Sequence, residues 1–126
     1  MFFGKKKKIL FVDDNESIVS TSSLILEDMG FNVITAKDGE EALNKANAEL
    51  PDLIVLDVNL PKMSGFDVCR TLKKQPKTMK IPVILLTGLG KTDDVNKGFL
   101  VGAVDYLIKP VDWNRLKSKI SALIKV

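Results

Sequence analysis

The sequence predicts a single α/β domain in which a parallel β-sheet is covered by helices on both faces. Three observations support this fold class. Short apolar runs alternate along the 126-residue chain with longer segments of helical spacing. Several of these runs are apolar at every position, as expected for parallel strands that are buried on both faces. Polar residues follow four of the runs directly, at the positions where the predicted strands end.

Five strands are expected, at residues 9–12, 31–35, 53–56, 83–86 and 104–107. The first, third and fourth contain only apolar residues, so we expect them in the centre of the sheet. The second includes Asn32 and the fifth includes Asp105, and polar residues of this kind are typical of strands at sheet edges. Right-handed crossovers with short connections then give the order 2-1-3-4-5, the flavodoxin-like arrangement of a doubly wound (βα)5 sandwich.

Five helices follow these strands, at residues 15–29, 40–49, 65–74, 92–101 and 113–125. Asp38, Ser64 and Asp112 precede the second, third and fifth helices, where their side chains can cap the first turn. The first and last helices carry apolar stripes at helical spacing. The fourth contains Asn96 and Gly98, which are poor helix formers, and it follows the segment 88–90 with two further glycines. We therefore expect the fourth helix to be the most mobile element.

The composition fits one compact domain. The chain is 45% hydrophobic and 28% charged, and its length leaves no room for a second domain. Residues 1–7 are expected to form a disordered basic extension, and residues 8–126 the folded domain. The lysine run 5–8 alone exceeds the formal net charge of +3. Because its lysines are neither interleaved with aromatic residues nor arranged as a helical stripe, direct binding to nucleic acid is not expected.

The residue types that are rare or absent limit the chemistry further. Cys69 is the single cysteine, so no disulfide can form within the chain, which fits a reducing cytoplasm. The chain contains no histidine, which removes the commonest general base and the commonest zinc ligand. No apolar stretch approaches the length of a membrane span.

Four polar features stand at the carboxyl ends of strands: Asp13-Asp14, Asp57, Thr87 and Lys109 follow the first, third, fourth and fifth. The carboxyl ends of parallel strands open onto one crevice, so these side chains are expected to converge there. Three clustered carboxylates repel one another unless a cation compensates, and Mg²⁺ binds carboxylate and phosphate oxygens. The sequence therefore predicts a magnesium site that can handle a phosphoryl group. A flavin or nucleotide site would need a loop of backbone donors in place of the acidic pair.

Each of these residues has a simpler interpretation when it is taken alone. Asp13 and Asp14 could cap the first helix, and Asp57 could lead into a turn. Thr87 could belong to its strand through β-propensity, and Lys109 could be one of many solvated lysines. The joint pattern favours the functional interpretation, because chance satisfaction of all four positions is improbable.

The complete ordered set resembles a single response-regulator receiver domain of the CheY-like family. The resemblance extends over essentially the whole chain after Lys7, that is, residues 8–126. It is carried by Asp13-Asp14, Asp57 in the segment Leu-Asp-Val-Asn-Leu-Pro-Lys-Met-Ser-Gly, Thr87, Tyr106 and Lys109-Pro110. Gly88 is a departure, since the family usually has alanine there, and we expect a looser backbone without loss of chemistry.

This resemblance implies roles for the residues that carry it. Asp57 would be the phosphoryl acceptor, and Asp13, Asp14, Asp57 and the backbone carbonyl of Asn59 would hold Mg²⁺. Lys109 would pair with one phosphoryl oxygen.

The resemblance also implies a conformational switch. Thr87 would hydrogen-bond to a phosphoryl oxygen once the acceptor is modified. Tyr106 would then turn inward and alter the face formed by the fourth helix, fifth strand and fifth helix. The peptide bond between Lys109 and Pro110 would be cis, as it is in the family.

The function implied by the resemblance is that of a phosphorelay module in the cytoplasm. It would receive a phosphoryl group from a histidine kinase or a phosphotransfer protein and control a downstream effector protein. It would catalyse only its own Mg²⁺-dependent phosphorylation and dephosphorylation. One alternative is a haloacid-dehalogenase-type phosphohydrolase, which needs a second acid where this chain has Asn59. The other is a phosphorylation-independent interaction domain, against which the intact acidic pair, Thr87 and Lys109 all count.

Overall fold

The computed structural model of the chain describes residues 6–88 and 92–124, without the side chains of residues 92–94. In this part of the chain five strands and five helices alternate. In chain order they are β1 (Lys8–Val12), α1 (Glu16–Asp28), β2 (Asn32–Ala36), α2 (Gly39–Glu49), β3 (Leu53–Asp57), α3 (Gly65–Lys74), β4 (Val83–Thr87), α4 (Thr92–Leu100), β5 (Asp105–Ile108) and α5 (Trp113–Leu123). The predicted bounds agree with these to within one residue, apart from the predicted end of the fifth helix at residue 125, which lies outside the described residues.

The strands form one parallel sheet in the order β2-β1-β3-β4-β5, which confirms the predicted arrangement. The register aligns the carboxyl ends of neighbouring strands. Asp57 is paired with Leu86, and Thr87 is paired with Ile108. Because the strands are parallel and end together, the residues that follow them lie along one edge of the sheet.

The sheet separates two apolar layers. Alternate residues of the central strands, such as Leu10 and Ile54, pack with Val68 and Leu72 of α3. Their neighbours in the sequence point the other way and pack with the apolar stripes of α1 and α5, which include Leu26, Leu116 and Ile120. The continuously apolar strands β1, β3 and β4 are thus buried on both faces. None of the helices in residues 6–88 and 92–124 is long and apolar enough to cross a membrane.

Two of the sequence predictions concern segments that are partly or wholly outside the described residues. Of the predicted basic extension, residues 1–5 lie outside them, while Lys6 and Lys7 precede β1 without regular secondary structure. Residues 89–91, which join β4 to α4, also lie outside them. The predictions of disorder for the extension and of unusual mobility for α4 therefore stay predictions.

Candidate functional site

The side chains predicted to converge at the sheet edge are brought together by the fold. Asp13 follows β1 directly, Asp57 ends β3, Thr87 ends β4 and Lys109 follows β5. Asp13, Asp57 and Thr87 are buried, whereas Asp14 beside them is exposed. The hydrogen bond from Asp13 N–H to the Ala36 carbonyl, at 3.1 Å, continues the sheet pairing beyond the end of β1. The backbone of the site is therefore anchored in the sheet.

The three aspartates form a group of oxygen donors. Asp13, Asp14 and Asp57 each offer a carboxylate oxygen, and the three oxygens lie within 4.8 Å of one another. Hard oxygen ligands at this spacing suit a divalent cation such as Mg²⁺, which takes one or two protein carboxylates and completes its shell with water and phosphate oxygens. Asp13 and Asp57 are buried, so their negative charges are not solvated by water. A cation bound beside them would compensate these charges.

Lys109 lies between two of these carboxylates. Its Nζ is 3.1 Å from Asp13 Oδ2 and 2.9 Å from Asp57 Oδ2. Its backbone N–H donates to the Thr87 carbonyl at 2.7 Å, which fixes the start of the loop after β5. The Lys109–Pro110 peptide bond is cis. Lys109 thus contacts the acidic cluster through its ammonium group and the end of β4 through its backbone N–H.

The protonation of Asp57 is governed mainly by its burial. Burial raises the pKa of the Asp57 carboxyl above its ordinary value, and the nearby Asp13 charge adds to this, while Lys109 and the Asn59 N–H work in the opposite direction. The sequence pointed to repulsion among carboxylates, but in the structure desolvation is the larger effect. For Lys109, burial opposes the charge, but the hydrogen bonds and charges of Asp57 and Asp13 outweigh it and raise the pKa.

The loop after β3 turns back against the acceptor strand. Asn59 N–H donates to Asp57 Oδ1 at 3.1 Å, so one carboxylate oxygen is held by this loop and the other by Lys109. The Val58 carbonyl accepts from Leu60 N–H at 3.2 Å and from Gly65 N–H at 2.8 Å. Asn59 therefore lies beside the acidic cluster, and metal binding by its carbonyl stays a prediction.

Thr87 carries an unusual hydroxyl group. Its side chain is 1% exposed, and Oγ1 has no hydrogen-bond partner among the described residues. Buried hydroxyls are nearly always hydrogen-bonded, because an unpaired one loses its contacts with water without replacement. A buried hydroxyl without a partner in the described part of the chain suits a group that gains a hydrogen bond in another state of the site.

Tyr106 is half-buried on β5 and contacts α4. Its ring meets the ring of Phe99 edge to face, with centroids 5.8 Å apart and an interplanar angle of 85°. Phe99 itself is 51% exposed. The sequence indicates a role for Tyr106 but none for Phe99, since nothing in the linear pattern shows that this helix residue packs on the strand aromatic.

A groove of about 640 Å³ opens beside the site, between α1 and the start of α5. It is lined by apolar side chains that include Ile18, Val111 and Trp113, and Lys109 borders it. Trp113 is the single tryptophan of the chain. Its emission is therefore a natural spectroscopic probe of changes around Lys109.

Known proteins share this architecture and sequence. The family model described as the response regulator receiver domain matches residues 9–121. The chain is 46% identical over 119 residues to the alkaline phosphatase synthesis transcriptional regulatory protein PhoP of Bacillus subtilis (strain 168), covering 94% of this chain and 49% of that protein. It thus spans about half the length of the curated relatives it matches.

Solved structures agree with this likeness. Chemotaxis protein CheY4 of Vibrio cholerae superposes with a TM-score of 0.89 at 35% identity, covering 95% of this chain and 100% of that one. The receiver domain of sensor histidine kinase PA1611 from Pseudomonas aeruginosa PAO1 gives a TM-score of 0.88 at 27% identity, with 97% and 100% coverage. That structure has a magnesium ion coordinated in its active site cleft.

Proposed function

The chain belongs to the response regulator receiver domain family of two-component signalling, and on this basis we propose that Asp57 is its phosphoryl acceptor. The observation that carries the proposal is the setting of this carboxylate. Asp57 is buried at the end of a central strand, with the Lys109 ammonium 2.9 Å from one oxygen and the carboxylates of Asp13 and Asp14 beside it. Asp13 shares the burial and the contact with Lys109, at 3.1 Å. Asp57 differs in lying within its strand, as the last residue of β3, at the position of the acceptor in the segment that resembles the receiver family.

The proposed reaction is a direct transfer to the carboxylate. An Asp57 oxygen attacks the phosphorus of the donor, the bond from phosphorus to the donor nitrogen or oxygen breaks, and the leaving group keeps the electron pair. The product is an acyl phosphate. Asp13, Asp14, Asp57 and the Asn59 carbonyl would hold Mg²⁺, which supplies charge neutralisation for the phosphoryl oxygens when bound. The Lys109 ammonium contributes a second positive charge at the same place.

Thr87 is proposed to respond to the transfer. A phosphoryl group on Asp57 adds up to about two negative charges and strong acceptor oxygens. The buried Thr87 hydroxyl, which lacks a partner within the described residues, can donate to one of these oxygens. Such a bond would satisfy the hydroxyl and draw the end of β4 toward the acceptor, and it gives the site two distinct states.

The proposed partners follow from this chemistry. A sensor histidine kinase or a histidine phosphotransfer protein would supply the phosphoryl group, since this chain has no histidine of its own. A downstream effector protein would bind the face formed by α4, β5 and α5 when Tyr106 changes position. We place this exchange in the cytoplasm, without direct contact to nucleic acid by this domain. Catalysis would be limited to the domain's own Mg²⁺-dependent phosphorylation and dephosphorylation.

Mass spectrometry after incubation with acetyl phosphate and Mg²⁺ tests the proposal. Wild type should gain one phosphoryl group, and Asp57→Asn should gain none, because the amide is not a comparable nucleophile. Asp67→Asn is the matched control: this exposed carboxylate on α3 pairs with Arg70 at 3.0 Å and should leave labelling unchanged.

Three further outcomes of this experiment are decisive. Equal labelling of Asp57→Asn would refute the assignment of the acceptor. Labelling that proceeds as fast with a chelator as with Mg²⁺ would refute the metal-binding role of Asp13 and Asp14. Absence of labelling in every protein would favour the phosphorylation-independent interaction domain.

A further inference from the structure

We propose that Gly65 is a positioning residue for Asp57, and that its lack of a side chain sets the acceptor carboxylate and the following loop in the geometry that binds metal and phosphoryl group. The inference rests on the function proposed above for Asp57. Gly65 does not touch the reacting atoms through a side chain, since it has none. It acts through the backbone of residues 57–59.

Gly65 joins the start of α3 to the end of β3. It is the first residue of α3, following Ser64, whose side chain caps the helix by accepting from Asp67 N–H at 3.2 Å. Its own N–H donates to the Val58 carbonyl at 2.8 Å. The helix start is thereby bound directly to the residue that follows the acceptor.

A methyl group on Gly65 would overlap the backbone of this same segment. Its nearest neighbours would be the Asp57 carbonyl oxygen, closer than real Cβ contacts allow, the Val58 Cα at 2.8 Å and the Asp57 carbonyl carbon at 3.0 Å. All three atoms belong to the main chain, so none can move aside by a rotamer change. Either α3 must withdraw or residues 57 and 58 must shift. Glycine is required here for close approach of two backbones.

A shift of this segment would reach the reacting group. Asp57 Oδ1 is held by Asn59 N–H at 3.1 Å and Oδ2 by Lys109 at 2.9 Å, so the carboxylate is oriented from two sides. Moving the backbone of Asp57 displaces both contacts together with the Asn59 carbonyl. A misplacement of about 1 Å at a reacting centre costs about a hundredfold in rate. Gly65→Ala is therefore expected to slow labelling by a factor of roughly ten to a hundred.

Gly39 offers a matched control. It too is a buried first residue of a helix, α2, and follows a capping residue, Asp38. A methyl group there would also be crowded, but by Val68 Cγ2 at 2.9 Å and Met63 Sδ at 3.0 Å, which are side-chain atoms. Gly39→Ala therefore introduces a milder clash, with side-chain atoms that can move, and does not press on the backbone of Asp57.

The experiment compares wild type, Gly65→Ala and Gly39→Ala by three measurements. These are the thermal midpoint, the Mg²⁺ dissociation constant by calorimetry, and the rate of labelling by acetyl phosphate at saturating Mg²⁺. Both variants should melt at lower temperature than wild type. Only Gly65→Ala should bind Mg²⁺ more weakly and label tenfold to a hundredfold more slowly. A purely structural role would lower the midpoint and leave the Mg²⁺ affinity of the folded protein unchanged.

Several results would overturn the inference. Gly65→Ala could bind Mg²⁺ and label like wild type, or Gly39→Ala could be impaired to the same extent. If Gly65→Ala is unfolded, the measurements are repeated in trimethylamine oxide, which favours the compact state. If Gly65→Ala is then labelled at the wild-type rate in trimethylamine oxide, or if it does not fold even in that solution, Gly65 is required for folding only. Wild type that is not labelled at Asp57 would instead refute the proposed function.

Discussion

Thr87 ends β4 with a hydroxyl that is buried and has no partner among the described residues. Such a group costs about 1–3 kcal/mol of folding free energy relative to a satisfied one. Thr87→Val replaces the hydroxyl by a methyl group of similar size in an apolar strand. We expect the free energy of unfolding of the unphosphorylated protein to rise by about 1 kcal/mol, measured by urea denaturation with a chelator present.

Thr78 provides the control for this prediction. It is also fully buried, but its Oγ1 donates to the Leu72 carbonyl at 2.7 Å. Thr78→Val removes that bond and leaves the Leu72 carbonyl with only the longer bond from Gln75 N–H at 3.3 Å, so it should lower the free energy of unfolding by about 1 kcal/mol. A loss of stability in Thr87→Val as large as that in Thr78→Val would show that the Thr87 hydroxyl has a partner in solution.

The sequence located Asp13, Asp57, Thr87 and Lys109 because each ends or directly follows a strand, and strand ends are visible in the apolar pattern. Gly65 could not be assigned in this way, because its contact with the Asp57 backbone depends on the path of the β3–α3 loop in three dimensions.

The positive φ of Lys62 could not be predicted from the sequence either. Lys62 lies in the same loop with φ of 68°, a value that favours glycine. That the Thr87 hydroxyl has no hydrogen-bond partner among residues 6–88 and 92–124 likewise becomes visible only when its surroundings are known.

At the scale of elements, caps and apolar periods explain why the predicted bounds nearly match the observed ones. Asp38, Ser64 and Asp112 cap α2, α3 and α5 as expected, each accepting a backbone N–H of the first turn. The prediction for the second strand began one residue early, at Phe31. Phe31 is instead buried in the core below α1. Its N–H donates to the Leu26 carbonyl, and it follows the turn made by Gly30, which has φ of 104°.

The coupling between the site and α4 leads to a prediction for the element pair α4 and β5. Phosphorylation would draw Thr87 and Lys109 inward, and the connections after these residues lead into α4 and α5. The edge-to-face contact of Phe99 with Tyr106 ties α4 to β5, so movement of one should change the other. A beryllofluoride mimic with Mg²⁺ is therefore expected to change amide exchange across residues 95–106 in wild type.

The matched variant for this measurement is Thr87→Ala, which keeps the acceptor but lacks the hydroxyl. It should bind the mimic and show a smaller change across residues 95–106, because a ligand shifts the population only through its differential contacts with the two states. Amides of α2, which lies away from β4 and β5, serve as the internal reference in both proteins. An identical response of the two proteins would refute the coupling through Thr87.

At the scale of the whole molecule, the sheet order explains why one edge can hold both the acidic cluster and a lysine. The chain reverses its direction of strand addition between β1 and β3, and this places Asp13 beside Asp57. Lys109 arrives from the far edge strand, 96 positions after Asp13 in the sequence. Because the two apolar layers pack against both faces of the central strands, the backbone that carries these charges is held in place without a ligand. The fold therefore maintains a site that is electrostatically unfavourable by itself.

Because burial of the Asp57 carboxylate opposes folding, the free energy of unfolding should depend on pH. Burial raises the pKa of Asp57 above the ordinary value of 3.8. Between that value and the raised one the folded protein binds more protons than the unfolded chain, so this group lowers the free energy of unfolding as pH rises, and above the raised pKa the penalty is constant. The raised pKa of Lys109 stabilises the folded protein at all pH values below the ordinary value of 10.5. This stabilisation is lost only as pH rises above that value.

Asp57→Asn removes the penalty, so without Mg²⁺ its free energy of unfolding should exceed that of wild type by a margin that grows as pH rises from about 4 and then becomes constant. Asp67→Asn, which changes an exposed carboxylate outside the site, should show no such growth. Saturating Mg²⁺ should shrink the margin, because the metal stabilises the folded wild type more than the variant that lacks one ligand. Urea denaturation of the three proteins at several pH values, with a chelator and with Mg²⁺, measures these differences. A margin that falls with pH would mean that Lys109 more than offsets the burial of Asp57, and that the metal-free site favours folding.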